Sequence, residues 1–223
     1  MLRRRAAEGA VVADADERVP DAGTARVDGR TERGRRTREK IADALLSLLD
    51  EGVVEFPAER VAERAGVSRR LVFHHFADMS QLIDLAVTRR LEQLADQVRP
   101  LPVSGPRATR VGALVEQRAR ILEWITPARL TLMRIEHPSP RIQQVTDEAF
   151  AEARLRVAEI FAEELGRLDA HRAAELLDGL DAVTTWGAWH HWRTSGKSQE
   201  QARAAMEATV LNLLAAGDRP PAA

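Results

Sequence analysis

Between Val61 and Phe76 the chain reads VAERAGVSRRLVFHHF, and this stretch restricts the possible folds more than any other. Val61, Ala62 and Ala65 share one helical face. Gly66 follows where a sharp turn needs permissive backbone, and Ser68 is a residue type that caps helix N-termini. Leu71, Val72 and Phe76 then give a second short helix an inward face, leaving Arg69, Arg70, His74 and His75 outside. No acid occurs between Gly66 and Ala77. Two helices joined in this way form either an ordinary helical hairpin or a helix-turn-helix, whose second helix enters a DNA major groove and offers side chains near its start to base edges.

The punctuation elsewhere is helical. Ile41, Leu45, Leu48 and Leu49 keep the i, i+4, i+7, i+8 spacing, and Gly52 stands where a C-cap glycine belongs. Pro57 suits the first turn of the next helix. Asp78 and Gln81 resemble a capping box opening a longer helix with Ile83, Val87, Leu91, Leu94 and Val98 on one stripe. Pro100, Pro102, Gly105 and Pro106 mark the clearest break. Beyond it, the spacing predicts a helix from about 107 to 124, ending before Thr126-Pro127, and a shorter one to about 136. A long helix then runs from Ser139-Pro140 to Leu165-Gly166, another from Asp169 to about Ser195-Gly196, and a last one from Ser198 to near Gly217. No segment alternates as a strand would. The expectation is an all-α fold of about nine helices. A disordered arm occupies 1–34, a helix-turn-helix domain 35–95, a helical regulatory and dimerisation domain 104–217, and a disordered tail 218–223.

Composition excludes several classes. The 223 residues carry a formal net charge of -1, so any positive field is local. Cysteine is absent, which removes disulfides, zinc-thiolate sites and thiol nucleophiles. No apolar run reaches the roughly 18 residues that cross a bilayer. The opening MLRRR lacks the apolar stretch of a secretory signal, so a cytoplasmic location without membrane contact is expected. The arm has almost no large apolar side chains, too few to offset its ordering entropy. Its final arginines, Arg30 and Arg33, with Arg35, Arg36 and Arg38 leading into the first helix, are either a phosphate-contacting extension or a solvated tail.

From Thr37 to Val87 the sequence TREKIADALLSLLDEGVVEFPAERVAERAGVSRRLVFHHFADMSQLIDLAV closely resembles the DNA-binding domain of the tetracycline-repressor (TetR/AcrR) family. The features that carry the resemblance are the Thr-Arg-Glu-x-Ile opening, Gly52, the VAERAGVS turn, Phe73-His74 with Phe76, and an acidic cap before an apolar helix. The resemblance implies a ligand-responsive transcriptional regulator, in most cases a repressor. It also implies a homodimer whose two motif helices enter successive major grooves of a near-palindromic operator. By position, Ser68, Arg69, Arg70, Leu71, His74 and His75 match the family's DNA-facing surface, Val72, Phe73 and Phe76 its packed face, and Thr37 a phosphate-contacting residue. Three positions depart from the pattern. His75 replaces a usual tyrosine, Met79 a common lysine, and Leu71 a frequent Thr or Ser, each weakening a contact to DNA. Arg70 stands where a small residue is common, and either it or Arg69 has the fork geometry to read guanine. The two histidines would strengthen binding at mildly acid pH if protonated beside phosphate.

The resemblance further places a dimer bundle in the last two helices, within 170–216, where Gly179, Ala182, Gly187 and Ala188 permit close approach. Trp186, Trp189 and Trp192 form a ridge suited to core, interface or pocket. A cavity for a small apolar or amphipathic effector is expected among the middle helices, lined by Leu122, Trp124, Leu132, Met133, Phe150, Phe161 and Trp186, with Arg134, Glu136 and His137 at its edge. Catalysis, cofactors and metals are not expected. His74-His75 and His190-His191 are adjacent pairs that diverge on a helix, His171 and Glu175 read as a surface pair, and no metal, P-loop or dinucleotide motif occurs. The alternative is a helical ligand-binding or protein-interaction module whose degenerate motif does not read DNA.

Overall fold

The computed structural model describes residues 22–134 and 140–218, with side chains from Thr31 onward. The chain divides into a short unit up to Arg36 and a large one from Thr37. Among the described residues ten helices follow one another: α1 (Ala22–Asp50), α2 (Ala58–Ala65), α3 (Arg69–His75), α4 (Met79–Gln97), α5 (Arg107–Leu132), α6 (Pro140–Ile160), α7 (Ala162–Leu165), α8 (Ala170–Val183), α9 (Trp186–Thr194) and α10 (Gln199–Gly217). There is no strand among the described residues.

Two apolar cores organise the large unit. The first joins Ile41, Leu45, Leu48 and Leu49 of α1 to Val61, Ala62 and Ala65 of α2, Val72 of α3, Phe76, and Leu82 and Ala86 of α4. The second joins Val111, Leu114 and Leu122 of α5 to Val157 and Ile160 of α6, Leu180 of α8, Trp189 of α9, and Met206, Val210 and Leu214 of α10. Helix α5 serves both, because Ala128 near its end packs into the first core. Each fully buried leucine contributes about 2 kcal/mol of apolar transfer. The caps foreseen from sequence are formed. Asp78 Oδ1 accepts from Gln81 N at 2.9 Å, Asp169 Oδ1 from Arg172 N at 3.0 Å, and Ser198 and Gln201 complete a reciprocal box.

Four elements differ from expectation. Helix α1 reaches back to Ala22, into the stretch read as disordered, while residues 1–21 lie outside the described residues. Extending a nucleated helix is cheap, and Glu32 supports it by accepting from both Arg35 at 2.8 Å and Arg36 at 2.8 Å. Helix α5 continues through Pro127 instead of stopping at Trp124. Proline removes one N–H there, at a cost of about 3 kcal/mol. Burial of Ala128 and Thr131 offsets it, Thr131 Oγ1 donating to Leu49 O at 2.8 Å. The long helix expected to reach Leu165 is interrupted at Phe161. The one expected from Asp169 breaks at Thr184-Thr185, where the Thr184 hydroxyl donates to Leu180 O and the Thr185 hydroxyl caps α9.

Candidate nucleic-acid interface and cavity

Gly66 closes α2 at φ 61°, ψ 41°, a left-handed conformation that side chains strain. Val67 N donates back to Ala62 O at 2.9 Å, so the chain reverses within two residues. Ser68 Oγ then accepts from Leu71 N at 3.2 Å and starts α3. Val72 and Phe76, four residues apart, anchor α3 in the first core. That anchoring sends Ser68, Arg69, Arg70, Phe73 and His74 outward, all exposed, with Leu71 half-buried.

The two arginines are not equivalent. Arg69 Nε lies 2.9 Å from Glu59 Oε1, and its guanidinium covers Phe73 at 5.4 Å from the ring centre. Arg70 has no ion pair among the described residues. Two expectations fail here. Phe73, assigned to the packed face, is 47% exposed, because it sits about 100° around the helix from Val72. His75, assigned to the outside, is half-buried beside His74, with ring centres 5.3 Å apart. Burial, His74 and Arg38 together lower its pKa below the ordinary 6.5. Thr37 is half-buried on α1, and Met79 packs against the first core, so its side chain is committed to packing.

The pH consequence of His75 has a definite sign. A base whose folded pKa is depressed binds fewer protons folded than unfolded, so stability rises with pH through that window. We expect wild-type resistance to urea to fall from about pH 7.5 to about pH 5.5. His75→Gln should shallow that fall. Identical urea midpoints for variant and wild type at every pH would contradict the assignment.

A cavity of about 940 Å³ lies among α4, α5, α6 and the start of α9. Of the residues expected to line it, Leu122, Leu132, Met133, Phe150 and Trp186 do so. Phe161 does not, being fully buried at the α6–α7 junction in the second core. Trp124 does not either; it lies beside Asp50 and Gln93, where Arg90 stacks on it at 4.4 Å. Arg134 is exposed, and Glu136 and His137 lie outside the described residues. Two members of the tryptophan ridge are tied to α5. Trp186 Nε1 donates to Thr126 Oγ1 at 3.0 Å, and Trp189 Nε1 donates to Glu123 Oε2 at 2.9 Å. Gly179 permits close approach within the chain, since a Cβ there would meet Leu213 of α10 at 3.4 Å.

Sequence reasoning missed the cavity's arginines. Arg118, Arg129 and Arg156 line it together with Arg90. The signal was present: Arg118, Leu122, Ile125, Arg129 and Leu132 follow a 4-3-4-3 spacing, so two cations interrupt one apolar stripe of α5. His171 and Glu175 are an exposed pair at 3.6 Å. Among the described residues no group of three His, Cys, Asp or Glu side chains is placed to hold a metal. No helix among them is long and apolar enough to cross a membrane.

Residues 41–86 match the profile of a family described as bacterial regulatory proteins, tetR family. The HTH-type transcriptional regulator BetI of Cronobacter sakazakii is 30% identical over 161 residues, 64% of this chain and 76% of that protein. In fold, the chain is similar to a tetR-family transcriptional regulator from Streptomyces coelicolor, with a TM-score of 0.67 at 19% identity over 82% of each chain. It is also similar to a transcriptional regulator from Rhodococcus sp. Rha1, with a TM-score of 0.57 at 20% identity over 82% of this chain and 99% of the other.

Proposed function

Because this chain belongs to the tetR family of bacterial regulatory proteins, whose members are regulators and not enzymes, we propose that it is a homodimeric repressor acting in the cytoplasm. It reads a near-palindromic operator through α3 and releases it when a small amphipathic molecule fills the cavity. The observation that carries the reading is the outward face of α3, where Arg69 and Arg70 stand exposed on a helix start free of acids. A single seven-residue helix reaches few base pairs, so two copies related by a two-fold axis supply the needed readout. Support for pairing comes from the outer face of α10, where Ala204, Ala208, Asn212 and Ala215 are exposed at helical spacing and permit close approach. Domain limits of 35–95 and 104–217 belong to this reading, although Ala128 and Leu132 of α5 pack with the first core.

The ion pair with Glu59 favours Arg70 as the principal contact to DNA, since Arg69 must first leave its carboxylate. Glu59→Gln therefore has a distinct expected outcome. Removing an exposed carboxylate that holds Arg69 and repels phosphate should raise duplex affinity on the order of 2–5-fold, the worth of one surface pair. Anisotropy titrations at fixed salt would measure it, and a weakened complex would contradict this view of the surface. The wider reading is tested by sedimentation of the protein with and without duplex. A mass of two chains alone and two per duplex is expected. A solitary chain that leaves DNA unbound would instead favour a helical ligand-binding or interaction module.

A further inference from the structure

Arg129 projects from α5 into the cavity and lies between two rings, 4.6 Å from the centre of Trp186 and 5.3 Å from that of Phe150. It forms no salt bridge among the described residues, and its Nε is buried without a hydrogen-bond partner. Burial alone pulls its pKa below the ordinary range. A guanidinium partly withdrawn from water without a counter-charge is costly, and among the described residues two aromatic faces are the partners it has.

The other cations of the cavity are engaged to different degrees. Arg90 pairs with Asp50 at 2.5 Å, and Arg156 with Glu152 at 2.8 Å. Arg118 donates to the Ala153 carbonyl at 2.9 Å, and burial lowers its pKa as well. Among the described residues, Glu148 and Glu152 are the only acids in the lining, against four arginines. The remaining wall is apolar, including Leu94, Ile121, Leu122, Ile125 and Val145. A volume of about 940 Å³ is ample for a ligand of small-molecule size.

We infer that the cavity takes an amphipathic carboxylate, its head group paired with Arg129 and its apolar body lying along the α4–α5–α6 wall. The inference rests on the reading of this cavity as the effector site and specifies the effector's charge. A carboxylate accepts two parallel bonds from a guanidinium and supplies the missing counter-charge. A cationic ligand fits poorly, because the rings that would receive it already carry Arg129 and three further arginines face the same space. A neutral ligand would fill the apolar volume but leave Arg129 uncompensated.

Calorimetric titration of the full chain with decanoate, decanol and decylamine tests this, since the three share a ten-carbon body and differ in head-group charge. Decanoate should bind at least about tenfold more tightly than either of the others, the worth of one charge-assisted pair. Arg129→Met should reduce decanoate to the affinity of decanol, and Arg129→Lys should retain most of the preference. Failure of decanoate to bind, equal or tighter binding of decanol or decylamine to the wild type, or a preference that survives Arg129→Met would each overturn the inference. The wild-type comparison decides even if the variant does not fold. Duplex release, followed in parallel, separates the two readings. Decanoate bound through Arg129 without effect on DNA leaves this inference standing and removes the effector role. Equal release by decanol removes the inference and leaves the role.

Discussion

Replacing both Arg69 and Arg70 by alanine is expected to lower operator affinity at least about a hundredfold, taking each arginine's contact at about 1–3 kcal/mol and counting both copies. It is also expected to change how affinity depends on salt. Each neutralised phosphate contributes about 0.9 to the slope of log affinity against log salt. Loss of two arginines from each of two chains should therefore make the slope shallower by roughly 2 to 4. The helix itself should survive, because both side chains are exposed and Val72 and Phe76 hold α3 in the core. Anisotropy titrations across a salt series, with circular dichroism confirming the fold, would measure both quantities. An unchanged slope would show that the charge-dependent docking lies elsewhere. The single variants carry further information: Arg70→Ala should lose more than Arg69→Ala, whose charge is already shared with Glu59.

The second large effect is one of stability. Glu164 of α7 is 5% exposed and accepts from Arg110 at 2.6 and 2.9 Å and from Arg107 at 3.2 Å. Arg110, 3% exposed, also donates to Ile160 O at 2.6 Å, so it cannot swing into water without breaking α5 from α6. Glu164→Ala strands that guanidinium and should cost about 3–5 kcal/mol, a fall in Tm of roughly 6–20 °C. The double replacement Arg110→Met, Glu164→Leu should cost much less than Glu164→Ala, because no buried charge remains. Its pH signature follows from the hydrogen bonds of Arg110, which hold the Glu164 carboxyl at about 2 against an ordinary 4.5. Folding binds fewer protons than unfolding in that interval, so this stabilisation is complete above about 4.5 and is lost as pH falls toward 2. Urea unfolding at several pH values measures it. A Glu164→Ala chain with wild-type stability would contradict the account of this pair.

What could be read from the sequence was local. Gly66, Ser68, Asp78, Asp169 and Ser198 announce turns and caps through chemistry confined to a few neighbours, and each performs the role expected of it. The apolar periodicity of Ile41 to Leu49 likewise marks a helix that forms half of the first core. Features decided by distant packing were not readable. Pro127 looks like a stop, yet Thr131 donates to Leu49, 82 positions away. Thr184 and Thr185 look helical by composition, yet their hydroxyls end one helix and cap the next. The family resemblance puts Phe73 on the packed face and the apolar spacing puts His75 outside, and a seven-residue helix has too little periodicity to correct either. Arg129 went unnoticed for another reason: a cation on an apolar stripe reads as a surface residue until the facing helix encloses it.

The central claim is that two copies of α3 read a two-fold DNA site. Selection by the full chain from a pool of random duplexes tests it most directly. The account predicts enrichment of a near-palindrome of about 15–20 base pairs, with half-sites one or more helical turns apart. The Arg69→Ala, Arg70→Ala chain should fail to enrich it. A pool that stays random after repeated rounds, or a single unrepeated half-site bound by one chain, would contradict it.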